Sequence, residues 1–190
     1  MTDMEYERII RLYDYKKLVR LWMNVKEGKK VKDWSAGKAF EYLVIRGFEL
    51  ENDRARVRYS YSVSIGELVF SEEKMAAEQI DGAIYLEGLS FLVECKDRSE
   101  NIDIETIAKL RNQLLRRPAG VIGIVFSRTA FTDAAVRLAR FVSPQAILLV
   151  TGAEIDAALR GKYLCEGLIA KYRACVEKGM PDYNIERGLK

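Results

Sequence analysis

Histidine is absent from this chain of 190 residues. Its absence excludes Ser-His-Asp triads, zinc sites that combine histidine with cysteine, and histidine as a general base. The chain has 3 cysteines, an odd number without the paired spacing of metal ligands. A disulfide framework and a cysteine metal site are therefore both unsupported.

The sequence also lacks any apolar run approaching the roughly 18 residues of a membrane span. Residues 1–11 are charged throughout rather than signal-like, so we expect a cytoplasmic protein that is not bound to membranes. The net charge of +3 is mild and does not by itself require a nucleic-acid partner. The basic residues are nevertheless concentrated in residues 101–140, which contain Lys109, Arg111, Arg116, Arg117, Arg128, Arg137 and Arg140 against Asp103, Glu105 and Asp133.

An apolar content of 49% and a charged content of 31% are ordinary for one domain with a sizeable core. Hydrophobic spacing and end signals predict helices over residues 4–27, from Asp33 or Ser35 to Gly47, from Asn101 or Asp103 to before Pro118, from Thr132 or Asp133 to Phe141, and over 154–178. Strands are expected over 54–65 with one polar face, 79–96 as a hairpin, 121–126 and 146–150, with a polar connection over 71–78 and a loose tail over 181–190. This order predicts an α/β domain whose mixed sheet joins an antiparallel hairpin to parallel strands.

The hairpin over residues 79–96 is the most informative segment. If Glu87 and Gly88 form its two-residue turn, Asp81 lies opposite Glu94 and Gln79 lies opposite Lys96. The even-numbered residues from Ile80 to Leu86 then share an apolar face with Phe91, Val93 and Cys95, while the other face carries Asp81, Ala83, Leu92, Glu94 and Lys96. Two acids and one lysine would meet at the open end of that second face.

Facing carboxylates repel each other, and a bound cation relieves that repulsion, so this pattern indicates a metal site. The same charges are also compatible with a solvated strand face that carries a cross-strand ion pair. Other polar and aromatic residues nearby are interpreted as structural or solvated rather than as site residues: Gln79, Gln113, Ser127, Arg111, Arg116, Arg117, Tyr59 and Tyr61. Cys95 falls on the apolar face as a buried thiol.

Several strings occur in an order that resembles one nuclease family. They are Gly37-Lys38-Ala39-Phe40-Glu41, Ile80-Asp81-Gly82, Val93-Glu94-Cys95-Lys96, Gly120 to Ser127, and Leu148 to Ile155. Together they resemble the PD-(D/E)xK nuclease superfamily, in its Mrr-type restriction endonuclease branch. The resemblance implies a restriction endonuclease-like three-layer fold. It also implies an N-terminal helical extension over 1–32, a nuclease domain over 33–160, and a C-terminal helix and tail over 161–190 packed on that domain.

The resemblance also implies a function, namely Mg²⁺-dependent hydrolysis of DNA phosphodiester bonds, with Mn²⁺ able to substitute. Asp81, Glu94, the Cys95 backbone carbonyl and Glu41 would hold the metal. Lys96 would orient or deprotonate the attacking water, or stabilise negative charge. The expected partners are DNA and a second copy of the chain in a homodimer. Two alternatives remain open: a module that binds nucleic acid or supports assembly without cleaving, and a nuclease that acts on RNA or branched DNA.

Overall fold

The computed structural model describes residues 1–64, 77–141 and 144–187. The helices of this part are α1 (Asp3–Arg11), α2 (Tyr15–Lys26), α3 (Lys38–Glu51), α4 (Ile104–Leu114), α5 (Asp133–Phe141), α6 (Gly152–Gly161) and α7 (Leu164–Lys178), followed by a 3-10 turn at Ile185–Arg187. The strands are β1 (Arg56–Ser64), β2 (Ala77–Leu86), β3 (Leu89–Lys96), β4 (Val121–Ser127) and β5 (Ile147–Val150). None of the helices in these ranges combines the length and hydropathy that a membrane span requires.

The five strands form one mixed sheet in the order β1-β2-β3-β4-β5. The pairs β1–β2 and β2–β3 are antiparallel, whereas β3–β4 and β4–β5 are parallel. Helix α4 connects β3 to β4 and α5 connects β4 to β5, because parallel neighbours require a crossover. The predicted α/β class and mixed sheet are confirmed.

The hairpin register is as predicted over the paired residues, although the predicted pairs Asp81–Glu94 and Gln79–Lys96 lie beyond the end of the ladder. The β2–β3 ladder runs from Leu86 opposite Leu89 to Gly82 opposite Val93. Its turn residues, Glu87 and Gly88, have φ values of 50° and 79°. A two-residue type I′ turn requires positive φ at both positions, which explains how Glu-Gly closes the hairpin.

Both faces of the sheet are covered by helices. One core lies between the sheet and helices α1, α2, α3, α6 and α7, and includes Ile84, Phe91, Val93 and Cys95. A second core lies under α4 and α5, and includes Leu92 and Ile80. One expectation is therefore wrong, because Ile80 does not share a core with Ile84.

Each long terminal helix expected from periodicity is in fact two helices. Residues 4–27 divide into α1 and α2, because Asp14 caps a new helix by accepting the Lys17 backbone N–H at 2.8 Å. Residues 154–178 divide into α6 and α7 at Lys162, whose φ of 57° is left-handed. A periodic pattern of apolar residues continues across such breaks, so it does not reveal them.

Helix α3 also differs from its predicted bounds. It begins at Lys38 after Gly37, which has a φ of 82°, rather than after Asp33 or Ser35. It passes Gly47 and ends at Glu51. Gly47 serves packing instead of termination, because a Cβ there would lie 2.4 Å from Leu164 Cδ1 of α7.

The C-terminal segment is anchored over the part that the structure describes, so the expectation of a loose tail is wrong for residues 181–187. The Pro181 carbonyl accepts the Leu149 N–H of β5 at 3.0 Å. Lys171 is fully buried and donates to the Tyr183 carbonyl at 2.6 Å, while its ammonium group lies 2.8 Å from Glu154. Most of the connection predicted over 71–78 lies outside the described residues, although Ala77 and Glu78 already belong to β2.

Candidate active site

Asp81 lies at the point where β2 and β3 stop pairing. It precedes Gly82, which is the last residue of β2 in the ladder with β3. Its Oδ2 accepts the backbone N–H of Cys95 at 2.7 Å. The carboxylate thus takes the place of a backbone acceptor in the ladder, and the bond holds it beside β3. Asp81 is only 9% exposed.

Gly82 determines how closely α3 approaches this point. A Cβ at Gly82 would lie 2.3 Å from Ile45 Cδ1 and 2.7 Å from the Arg58 carbonyl oxygen. Ile45 follows Glu41 by four residues, so both lie on the same face of α3. The close contact at Gly82 therefore brings Glu41 toward Asp81.

The charge of Asp81 is strongly affected by this environment. Burial, followed by the carboxylates of Glu94 and Glu41, raises the pKa of Asp81 to about 7. The Cys95 N–H and the Lys96 ammonium group act in the opposite direction but are weaker. Burial, followed by the carboxylates of Asp81, Glu41 and Glu94, also raises the pKa of the Cys95 thiol. A raised thiol pKa is consistent with an unreactive cysteine in the core.

Glu94 is the most deeply buried acid of the site, with no exposed surface. Its Oε1 lies 2.5 Å from the Lys96 ammonium group on the same strand. The ammonium group of Lys109 on α4 donates to both carboxylate oxygens, at 2.8 and 3.0 Å. Two lysines on different elements therefore neutralise one buried carboxylate.

Lys109 was not predicted as a site residue. It belongs to the basic segment noted in the sequence, and it lies three residues after the buried Thr106 and four before the buried Gln113. This helical spacing places Lys109 beside the face of α4 that packs on the sheet. That position is the signal that could have identified it.

Glu41 is held by a neighbour on its own helix. The Lys38 ammonium group lies 2.7 Å from Glu41 Oε2 and donates to Ser60 Oγ at 3.2 Å. Although burial opposes it, the carboxylates of Glu41 and Asp3 raise the pKa of Lys38. Glu41 therefore lies near the acids of the hairpin while its own charge is compensated by Lys38.

The donor set suits a hard divalent cation. Asp81, Glu94 and Glu41 offer carboxylate oxygens, and the mutual repulsion that raises the pKa of Asp81 is the kind that a cation relieves. In the described part of the chain, however, no three His, Cys, Asp or Glu side chains form a ready metal-binding group. The lysine contacts to Glu94 and Glu41 occupy oxygens that metal binding would need.

Two predicted neighbours of the site are engaged elsewhere. The Gln79 side chain bonds to Ser60 and Ser62 of β1, at 2.6 and 2.9 Å, rather than facing Lys96. Gln113 is buried and donates to the Gln79 carbonyl at 3.3 Å. Both residues therefore support the sheet, in line with the structural interpretation.

The remaining polar candidates are also structural. Arg116 and Arg117 both bind Glu78, and although burial opposes it, these two guanidinium groups lower the pKa of Glu78. Ser127 is buried at the end of β4, where it bonds to Thr129 and to the Ala130 carbonyl. The Arg116 side chain is 41% exposed, in line with the expected solvated face, whereas Arg117 is only 17% exposed. Ser127 is the strand-end cap that was expected.

The fold places an acid where β2 and β3 stop pairing, a Glu-x-Lys strand beside it and a glutamate-bearing helix behind it, which is the arrangement that the PD-(D/E)xK resemblance implies. Comparison with family models identifies the branch. The model of the restriction endonuclease family Mrr_cat matches residues 33–159, and the chain belongs to that family. The Mrr-type resemblance noted in the sequence is confirmed.

Three solved structures resemble the chain at low identity. One, a protein of unknown function named AF1548, is 17% identical, with a TM-score of 0.43 over 69% of this chain and 77% of its own. The DNA modification-dependent restriction endonuclease AspBHI is 14% identical, with a TM-score of 0.41 over 100% of this chain and 41% of its own. The restriction endonuclease MspJI, in complex with a 27-mer oligonucleotide, is 14% identical, with a TM-score of 0.37 over 92% of this chain and 38% of its own. The chain thus spans about two fifths of the length of these two enzymes. No curated protein matches the sequence.

Proposed function

We propose that this protein is a metal-dependent endonuclease that hydrolyses phosphodiester bonds in DNA. The observation that carries the proposal is the meeting of Asp81, Glu94 and Glu41 next to Lys96, where burial and the carboxylates of Glu94 and Glu41 raise the pKa of Asp81 to about 7. Strongly shifted pKa values of this kind are concentrated at functional sites, where burial and like charges are brought together. Membership of a restriction endonuclease family supports the same reaction.

Mg²⁺ is the proposed cofactor, and Mn²⁺ the expected substitute. The carboxylates of Asp81 and Glu94, the Cys95 carbonyl and Glu41 would hold it through oxygen atoms, which are the ligands that Mg²⁺ prefers. When bound, it would acidify water and neutralise charge on the phosphate. For Glu94 to become a ligand, the ammonium groups of Lys96 and Lys109 must leave room at its carboxylate, whereas Lys38 contacts Glu41 at Oε2 and Glu41 can bind through Oε1.

The lysines have different proposed roles. Lys96 reaches Glu94 from the same strand and is 22% exposed, so it can turn toward a substrate phosphate or an attacking water. There it would orient the water, accept its proton or stabilise negative charge. Lys109 contacts both oxygens of Glu94 from α4 and holds that side chain in place. We therefore assign Lys96 to the reaction and Lys109 to positioning.

We also propose that the chain consists of three parts, namely a helical extension over 1–32, a nuclease domain over 33–160, and a C-terminal helix and tail over 161–190. The shared core of α1, α2, α3 and α7 supports packing of all three parts together. Homodimer formation and cytoplasmic location stay predictions.

The proposal is tested by incubating plasmid DNA with the protein and Mg²⁺ or Mn²⁺. We expect nicking or linearisation by the wild type, and its loss in Asp81→Asn and Lys96→Met. Asp156→Asn and Lys16→Met are matched controls outside the site and should retain cleavage. Cleavage that survives both site substitutions would contradict the assignment. Parallel reactions with RNA and branched DNA determine the substrate class.

A second candidate is a nucleic-acid-binding module that retains the fold without cleaving. The observation that favours it is the double ion pair at Glu94, which satisfies a buried acid without any metal. Metal-independent DNA binding without cleavage of any substrate would establish it.

A further inference from the structure

A cavity of about 860 Å³ lies beside the proposed active site. The segment that connects α2 to α3 forms one wall of it, and residues at the ends of β3 and β4 form another. Its lining includes Lys29, Lys30, Lys32, Trp34, Asp97 and Arg128. Four of these side chains are basic and one is acidic, so the cavity has a positive surface.

The chain connects this cavity directly to the proposed active site. Asp97 follows Lys96, and the Arg128 backbone N–H donates to the Lys96 carbonyl at 3.0 Å. On the opposite wall, Ala36 lines the cavity and is followed by Gly37, where a Cβ would lie 3.8 Å from Glu41 Oε1. The phosphate backbone of a DNA strand bound at the active site would therefore continue into this cavity.

The basic residues of the cavity are not equally available. Arg128 is paired with Asp97, and Lys29 is paired with Glu27. Within residues 1–64, 77–141 and 144–187, neither Lys30 nor Lys32 forms a salt bridge, and both are exposed. Two uncompensated cations next to an acid-rich site suit a polyanion rather than a neutral ligand.

We infer that this cavity binds the phosphodiester backbone of the DNA strand next to the cleaved bond, through Lys30 and Lys32 with support from Lys29. The inference deepens the proposed DNA-cleaving function and rests on it. Phosphate contacts of this kind position the substrate and carry no base sequence information. They also bring a polyanion to a site whose own carboxylates would otherwise repel it.

The salt dependence of DNA binding tests this inference. Each phosphate contact contributes about −0.9 to the slope of log K against log salt for duplex DNA. Binding is measured by fluorescence anisotropy with a labelled duplex in EDTA, in the Asp81→Asn background so that the DNA stays intact. The double substitution Lys30→Ala/Lys32→Ala should weaken binding and reduce the magnitude of the slope by about 1.5 to 2.

The matched control is Arg8→Ala/Lys16→Ala, which removes the same charge from exposed helix positions outside the cavity. This control should leave the slope unchanged. An unchanged slope for the lysine double variant, or an equal reduction in the control, would overturn the inference.

Cleavage assays separate the two proposals. With Asp81 restored, the lysine double variant should show a raised KM for DNA and an unchanged kcat. If the lysine double substitution reduces the slope as expected but the wild type does not cleave DNA, the proposed function fails and the binding surface stands. If the wild type cleaves and the slope does not change, the binding surface fails and the proposed function stands.

Discussion

Asp81→Asn is expected to make the protein more stable in the absence of metal. Burial and the carboxylates of Glu94 and Glu41 raise the pKa of Asp81 from 3.8 to about 7, so its ionised form is unfavourable in the folded state. One pKa unit corresponds to about 1.36 kcal/mol, which gives an upper limit of about 4 kcal/mol. An asparagine amide must also be desolvated there, so we expect a net gain of about 1 to 3 kcal/mol.

The pH dependence of this effect has a definite sign. Below pH 3.8 Asp81 is protonated in both the folded and the unfolded states, and its shifted pKa does not affect stability. As the pH rises from 3.8 to about 7, the unfolded chain loses the proton while the folded protein keeps it, so the wild type becomes less stable. The advantage of Asp81→Asn should therefore grow through this range and become constant above it.

Urea unfolding in EDTA, followed by circular dichroism on both sides of this pH range, measures the effect. Asp156→Asn is a suitable control with the opposite expectation. Although burial opposes it, the Trp22 indole and the Lys26 ammonium group lower the pKa of Asp156, so that substitution should reduce stability. An Asp81→Asn protein that is less stable than the wild type above pH 7, or a difference that does not change with pH, would refute the reasoning.

Metal provides an independent check on the same residue. A ligand that binds only the folded state at about 100 times its Kd stabilises by about 2.7 kcal/mol. Saturating Mg²⁺ should therefore raise the stability of the wild type and have much less effect on Asp81→Asn. Equal stabilisation of both proteins would show that the ion binds elsewhere.

Three further substitutions test the surroundings of the site. Gly82→Ala should cost about 1 to 3 kcal/mol in urea unfolding because its Cβ would meet backbone and core atoms, whereas Gly120→Ala, with nothing within 4 Å, should cost far less. Lys171→Ala should cost about 3 to 5 kcal/mol because it leaves the Glu154 carboxylate buried without its partner, and adding Glu154→Gln should recover part of that loss. Lys109→Met should lower the cleavage rate by about 10- to 100-fold and cost less stability than Lys171→Ala because Lys96 still pairs with Glu94, and an unaffected rate would exclude Lys109 from positioning Glu94.

The hairpin register could be predicted because it depends on local information. A two-residue turn at Glu87 and Gly88 fixes every pair in the ladder, and the alternation of apolar residues selects the same register. The order of strands and helices can be predicted in the same way, since parallel neighbours such as β3 and β4 require a crossover between them. These features placed Asp81 beside β3 without a structure.

Other features depend on contacts between distant parts of the chain. Ile80 belongs to the second core, although alternation along β2 groups it with Ile84 of the first core. Lys109 reaches Glu94 only after α4 has packed on the sheet. Periodicity reports which residues are buried along an element, but not which element covers them.

The C-terminal segment has a consequence for association between molecules. Strand β5 lies at one edge of the sheet, and an open edge can pair with a strand of another chain. At this edge the Pro181 carbonyl accepts a hydrogen bond from the Leu149 N–H. Proline itself has no N–H with which to continue a ladder. Residues 181–187 therefore protect the sheet against edge-to-edge growth, and a chain shortened before Pro181 should aggregate more readily through β5.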